Sequence, residues 1–162
     1  MREATSLIEE EQEFDDLGSF NHSLVQANLA YVLKAHTEFS PLNELSLDTS
    51  GLDKLLFPAI KDELIADVCL YPKSAVVDLD ILVMEEMPLL VIEVISPRQG
   101  TRSIIEKFQA YFALGIPSCW LVDPATSIVR IYHPNSEPRT FSSGFAVDEV
   151  VGIRVPIAEI FG

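Results

Sequence analysis

The sequence predicts an α/β fold, a central mixed β-sheet flanked by helices. Two observations carry this expectation. Apolar, β-branched runs at Leu64 to Tyr71 and Leu89 to Ile95 read as strands buried on both faces of a sheet. Helical periodicity brackets them, from His22 to His36 before and from Ile104 to Leu114 after. Helix, strands, helix, strands is the order of a sheet covered by helices.

The elements follow in chain order. Glu9, Glu10, Glu11, Glu13, Asp15 and Asp16 crowd the N-terminus, so residues 1–18 read as a solvated acidic arm and 19–162 as one domain. Ser19 or Asn21 can cap the first helix. At ~100° per residue, Val25, Leu29, Val32, Leu33 and His36 share a face, and His22 and Gln26 fall on it, pointing to the sheet. Ser40-Pro41 ends the helix. Leu42 to Leu47 alternates as a first strand carrying Glu44, and the Asp67 strand follows up to Pro72. Val76 to Val83 reads as either a short strand or a loop, with Asp78 and Asp80 as solvated acids. Glu85 to Pro88 turns into the Glu93 strand, which Ser96-Pro97 stops. Gly115 caps the second helix. Cys119 to Asp123 and Ile128 to Tyr132 form a hairpin around the turn from Pro124 to Ser127. Phe141, Phe145 to Val147 and Ile153 to Val155 are peripheral strands. Val150 to Phe161 is apolar enough to pack on a core or a partner.

The chain has 162 residues, 48% of them hydrophobic, and a mean hydropathy of +0.24, which fits a globular domain. Its apolar runs are far shorter than the ~18 residues of a membrane span. The acidic N-terminus lacks a basic-then-apolar leader pattern, so a cytoplasmic location is expected and no membrane partner. Cys69 and Cys119 sit in apolar segments and read as buried thiols. The formal net charge of −14 disfavours tight, non-specific nucleic-acid binding. Arg98, Arg102 and Lys107 nevertheless lie near the candidate site in sequence, and Arg98 and Arg102 are candidate nucleic-acid contacts.

The chemistry centres on two acids. Glu93 interrupts Leu89-Leu90-Val91-Ile92-Glu93-Val94-Ile95, and Asp67 interrupts Leu64-Ile65-Ala66-Asp67-Val68-Cys69-Leu70-Tyr71. A carboxylate in such a run is costly unless paired, hydrogen-bonded or bound to a cation. Strand parity places Ile65, Asp67, Cys69 and Tyr71 on one face, and Leu89, Val91, Glu93 and Ile95 on one face of theirs. If the strands are neighbours in suitable register, the acids meet. Mg²⁺ or Mn²⁺ would relieve their repulsion and activate water against a phosphodiester. Lys107, at the margin of the second helix's apolar face, can reach the end of the Glu93 strand. Taken singly, Asp67 and Glu93 also read as partners of structural ion pairs, Lys107 as a surface lysine and His22 as a hydrogen-bonded helix residue.

Asp67, the Glu93 strand with Ser96-Pro97, Lys107 and Tyr111, Gly115, and Trp120-Leu121-Val122-Asp123-Pro124 together resemble the Uma-type family of bacterial restriction endonucleases, within the PD-(D/E)XK nuclease-like superfamily. The resemblance runs from about Phe20 to the C-terminus. It implies a restriction-endonuclease-like fold and a metal-dependent nuclease ancestry. Asp67 matches the superfamily's metal-binding aspartate and Glu93 the acid of its second motif. The lysine expected two residues after that acid is replaced by Ile95 and looks relocated to Lys107. Ala66 stands where a proline usually precedes the aspartate, and no inward-facing acid stands on the first helix.

The expected function is Mg²⁺- or Mn²⁺-dependent DNA endonuclease chemistry. Asp67, Glu93 and Lys107 would be catalytic, with Asp67 and Glu93 on the metal and His22, Gln26 and Glu44 completing the pocket. Homodimerisation is expected by analogy with nucleases that cut two strands as pairs. The alternatives are a non-catalytic nuclease-fold interaction or regulatory protein, and a hydrolase of a small phosphorylated substrate.

Overall fold

A computed structural model describes residues 18–73 and 80–162. The acidic arm expected over residues 1–18 lies, apart from Gly18, outside the described residues, as does Asp78. Helix α1 (Phe20–Lys34) starts where the Ser19 hydroxyl accepts from the His22 N–H at 3.2 Å. This is the capping bond that orphan N–H groups of a first turn require. Strands β1 (Phe39–Asp48), β2 (Glu63–Pro72), β3 (Val83–Met84) and β4 (Leu90–Val94) follow, then α2 (Thr101–Ala113). Next come β5 (Ser118–Asp123), β6 (Ile128–Tyr132), β7 (Arg139–Phe141), β8 (Phe145–Asp148), β9 (Ile153–Pro156) and a last turn, α3 (Ile157–Phe161).

Seven strands form a mixed sheet in the order β3-β1-β2-β4-β5-β6-β7, and β8 and β9 form a separate hairpin. β4 and β5 are parallel, joined by α2 as their crossover, whereas β2 and β4 are antiparallel. Two apolar layers enclose the sheet. On one side Val25, Leu29 and Leu33 of α1 pack with Val68, Leu70, Ile92 and Trp120, and with Ile153, Val155 and Ile160 from the C-terminal segment. The expected packing of that segment is therefore on the core. The Asn28 side chain donates to the Ile160 carbonyl at 3.0 Å. On the other side Ile104, Phe108 and Tyr111 of α2 pack with Cys69, Tyr71, Val91 and Cys119. Both cysteines are buried and free, as expected.

α2 closes with the Gly115 N–H on the Phe112 carbonyl and the Ile116 N–H on the Tyr111 carbonyl, at 3.0 and 3.1 Å. That pattern needs a left-handed residue after the cap, and Gly115 supplies it with φ 93°. No described helix is long and apolar enough to cross a membrane.

Two local expectations change. β1 begins at Phe39, so Pro41 lies inside a strand, paired with Leu70. β1 touches β3 only at Ser46 and Leu47, so Pro41 sits in an edge setting that tolerates a missing N–H. The segment from Val76 to Val83, read as either a short strand or a loop, lies outside the described residues over 76–79, and Val83 opens β3.

The second change concerns parity. Leu42, Leu45 and Leu47 of β1 all pack into the α2 layer, as do Tyr71, Cys69, Ala66 and Leu64 of β2. Regular alternation cannot give either set. Both strands change phase opposite one another, at Glu44, whose φ is 56°, and at Asp67. Ile65, expected inward on the Asp67 face, is consequently 53% exposed.

Candidate active site

The β2–β4 register pairs Val68 with Ile92 and Cys69 with Val91, so the next step along the ladder sets Asp67 beside Glu93. The two carboxyls are close enough for Asp67 to oppose ionisation of Glu93. Glu93 is 2% exposed and faces α2. There the Tyr111 hydroxyl donates to Glu93 Oε1 at 3.3 Å, and Lys107 Nζ lies 3.6 Å from the same oxygen. Lys107 and Tyr111 are one helical turn apart, which is why both reach one carboxylate.

Asp67 is held from the other side. Its Oδ2 accepts the backbone N–H of Val94 at 2.7 Å and lies 3.1 Å from His22 Nε2. The Gln26 amide donates to the Asp67 carbonyl at 2.8 Å and to Glu44 Oε1 at 2.7 Å. β1 thus brings an acid to the place where α1 supplies none. Glu44 keeps a left-handed backbone, uncommon for a residue with a Cβ and concentrated at functional positions.

Burial pushes Glu93 up most. Lys107 pulls it back, Asp67 pushes it up again, and Tyr111 pulls it down; the result is about 8. A carboxyl beside another acid is harder to ionise than one alone. His22 is raised by its hydrogen bond to Asp67 against the lowering effect of burial, helped by the charges of Asp67 and Glu44.

The structure therefore brings together Asp67, Glu93, Lys107, His22, Gln26 and Glu44. It does not place the arginines in that cluster. Arg98 is exposed in the loop before α2, and the Arg102 side chain, 94% exposed, pairs with Glu106 at 3.5 Å. Tyr111 carried no expected role in the site, because its place in the apolar stripe of α2 accounts for it as core. Its place beside Lys107 in the motif that carries the family resemblance, and its spacing of four from that lysine, are the signals that mark it.

A matching family model carries the description "Uma2: Putative restriction endonuclease" and spans residues 5–155. The chain belongs to this family. The match begins within the acidic segment, ahead of the Phe20 start read from the motifs. A search of curated proteins gave no match. A crystal structure from Anabaena variabilis, described as a putative nuclease of the DUF820 group, is similar to this chain with a TM-score of 0.72. The two are 18% identical, and the similarity covers 91% of this chain and 83% of that one. The fold is restriction-endonuclease-like, and the family is one described as putative restriction endonucleases.

Proposed function

We propose that the protein is a divalent-metal-dependent DNA endonuclease whose site is the Asp67–Glu93–Lys107 cluster. The observation that supports this most is the meeting of two core carboxyls from adjacent strands with an ammonium group on one of them. The donors suit Mg²⁺ or Mn²⁺: hard oxygens, adjacent, with ionisation of one opposed by the other. Among the described residues no three His, Cys, Asp or Glu side chains group to hold an ion by themselves. Mg²⁺ typically takes one or two carboxylates and leaves its other positions to water and phosphate oxygens. When bound, such an ion makes water a stronger nucleophile and offsets charge on the phosphoryl oxygens.

The chain's own groups do the rest. Val94 N–H and His22 fix the orientation of Asp67. Tyr111 and Lys107 hold Oε1 of Glu93. Lys107 sits where the lost motif lysine would act and can meet a phosphate oxygen as negative charge develops. Arg98 and Arg102 approach the phosphate backbone, and two copies act on the two strands.

A second reading has its own support. His22 and Lys107 already neutralise the two acids, and the chain carries −14. Both features suit a nuclease-fold interaction protein. Titration calorimetry with Mn²⁺ on the wild type and Glu93→Ala separates the two. Binding lost in the mutant, followed by metal-dependent nicking of supercoiled DNA, supports the enzyme. No binding by folded wild type removes it. Metal binding without salt-sensitive DNA retention points to a small phosphorylated substrate.

A further inference from the structure

A cavity of about 720 Å³ opens on another side of α2, away from the face that carries Lys107 and Tyr111. Its volume is within the ~300–1,000 Å³ typical of ligand clefts. Phe57, Phe112 and Tyr132 supply aromatic walls, and Gln109, Asn135 and His133 supply polar groups. Phe108 packs edge-on against the Tyr132 ring, with centroids 5.4 Å apart, which fixes one wall.

His133 is the most constrained of these groups. Its Nε2 lies 3.1 Å from Oδ1 of Asp148, which is 1% exposed. Oδ2 of Asp148 accepts from the Ser118 hydroxyl and, at 2.8 Å, from Trp120 Nε1. The N–H groups of Val150 and Val151 add to Oδ1. A carboxylate so supplied with donors is an acceptor only, so the imidazole proton stands on Nε2. The site therefore combines aromatic faces, two carboxamides able to donate and accept, and an imidazole held in place by Asp148.

We propose that this cavity binds a neutral planar heterocycle of the nucleobase or nucleoside class. Flat π-faces stack on the aromatic walls, and the amides pair with the ring's edge as Asn and Gln do with bases. None of the lining residues is Lys or Arg, and Glu137 is an acid among them. A phosphate is therefore unwelcome, which separates this site from the chemistry proposed at Glu93. The inference stands whether or not the acid cluster is catalytic.

The test uses the full chain with labelled histidine, followed by NMR during titration with adenosine, guanosine, cytidine and uridine in turn. At least one nucleoside should give a saturable shift of the His133 ring signals, with those of half-buried His36, which does not line the cavity, unchanged. Inorganic phosphate should give none. Gln109→Trp, at an exposed position, fills the cavity and should weaken binding by about tenfold or more. Ala113→Arg, also exposed on α2, does so independently should the first variant fold poorly. Absence of a saturable shift with all four nucleosides overturns the proposal, as does undiminished binding in a folded cavity-filling variant.

Discussion

At Glu93 the fold accepts a group whose ionisation it opposes. A carboxyl raised in the folded state contributes stability that is fully present below its ordinary value of 4.5. That contribution is lost as the pH rises through about 8. Glu93→Gln mimics the protonated form. It should melt close to the wild type at pH 5 and progressively above it towards pH 8, with the gain levelling off beyond. Thermal melts across that range check this, and a pH-independent difference would show that Glu93 is not the group that titrates. The same variant should lose divalent-ion binding, so stability and site function move in opposite directions.

Asp148 has the reverse sign. Burial raises it, but hydrogen bonds from Ser118, Trp120 and Val151 and the charge of His133 outweigh that, so it lies below the ordinary carboxyl range. Its contribution is present above 3.8 and is lost as the pH falls through the lower folded value. Asp148→Asn places an NH₂ among donors and should cost roughly 2–3 kcal/mol at pH 6. Urea unfolding should show that gap narrowing in acid. Glu93 was legible in the sequence because a lone acid in an otherwise apolar seven-residue run must have a partner, a hydrogen bond or a cation. Asp148 was not, because it stands beside Glu149 at a turn, where acids are ordinarily solvated; only the Trp120 and Ser118 donors arriving from β5 bury it.

Among the elements, α1, α2 and the β4–β5 pair follow from periodicity and caps, with ends shifted by a few residues. The β1–β2 pair does not follow so simply. Alternation describes each half of those strands, but the phase change at Glu44 and Asp67 depends on one backbone dihedral that no side-chain pattern encodes. Its use is visible: it presents Glu44 to Gln26 and turns Asp67 towards both His22 and Glu93. A left-handed residue with a Cβ costs roughly 1–2 kcal/mol relative to glycine's freedom there. The exposed Glu44–Gln26 hydrogen bond returns less than that. Glu44→Gly should therefore raise stability by about 0.5–1 kcal/mol in urea unfolding while weakening Mn²⁺ binding. A loss of stability would mean that the Gln26 hydrogen bond, and not the dihedral, sets this corner.

For the whole molecule the decisive quantity is the distribution of charge. A net −14 repels DNA at long range, yet that field is screened beyond roughly 8–10 Å at ordinary salt. Approach to the Asp67–Glu93 end of the sheet is then governed by nearby charges. Lys107 stands at that end, Arg98 in the adjoining loop and Arg102 on the first turn of α2. A bound divalent ion adds two positive charges where the acids would otherwise repel phosphate. DNA retention should therefore appear only with the metal present and fall as salt rises. Removing Arg98 and Arg102 together should lower the slope of log affinity against log salt by about two, one for each phosphate no longer neutralised, and weaken all sequences alike. Fluorescence anisotropy at several salt concentrations, with Ca²⁺ to limit cleavage, measures that slope. An unchanged slope in the double variant would place the phosphate backbone elsewhere. Retention that needs no metal would mean that His22 and Lys107 already offset the two acids, so that the ion is not what admits the phosphates, the outcome the interaction-protein reading expects.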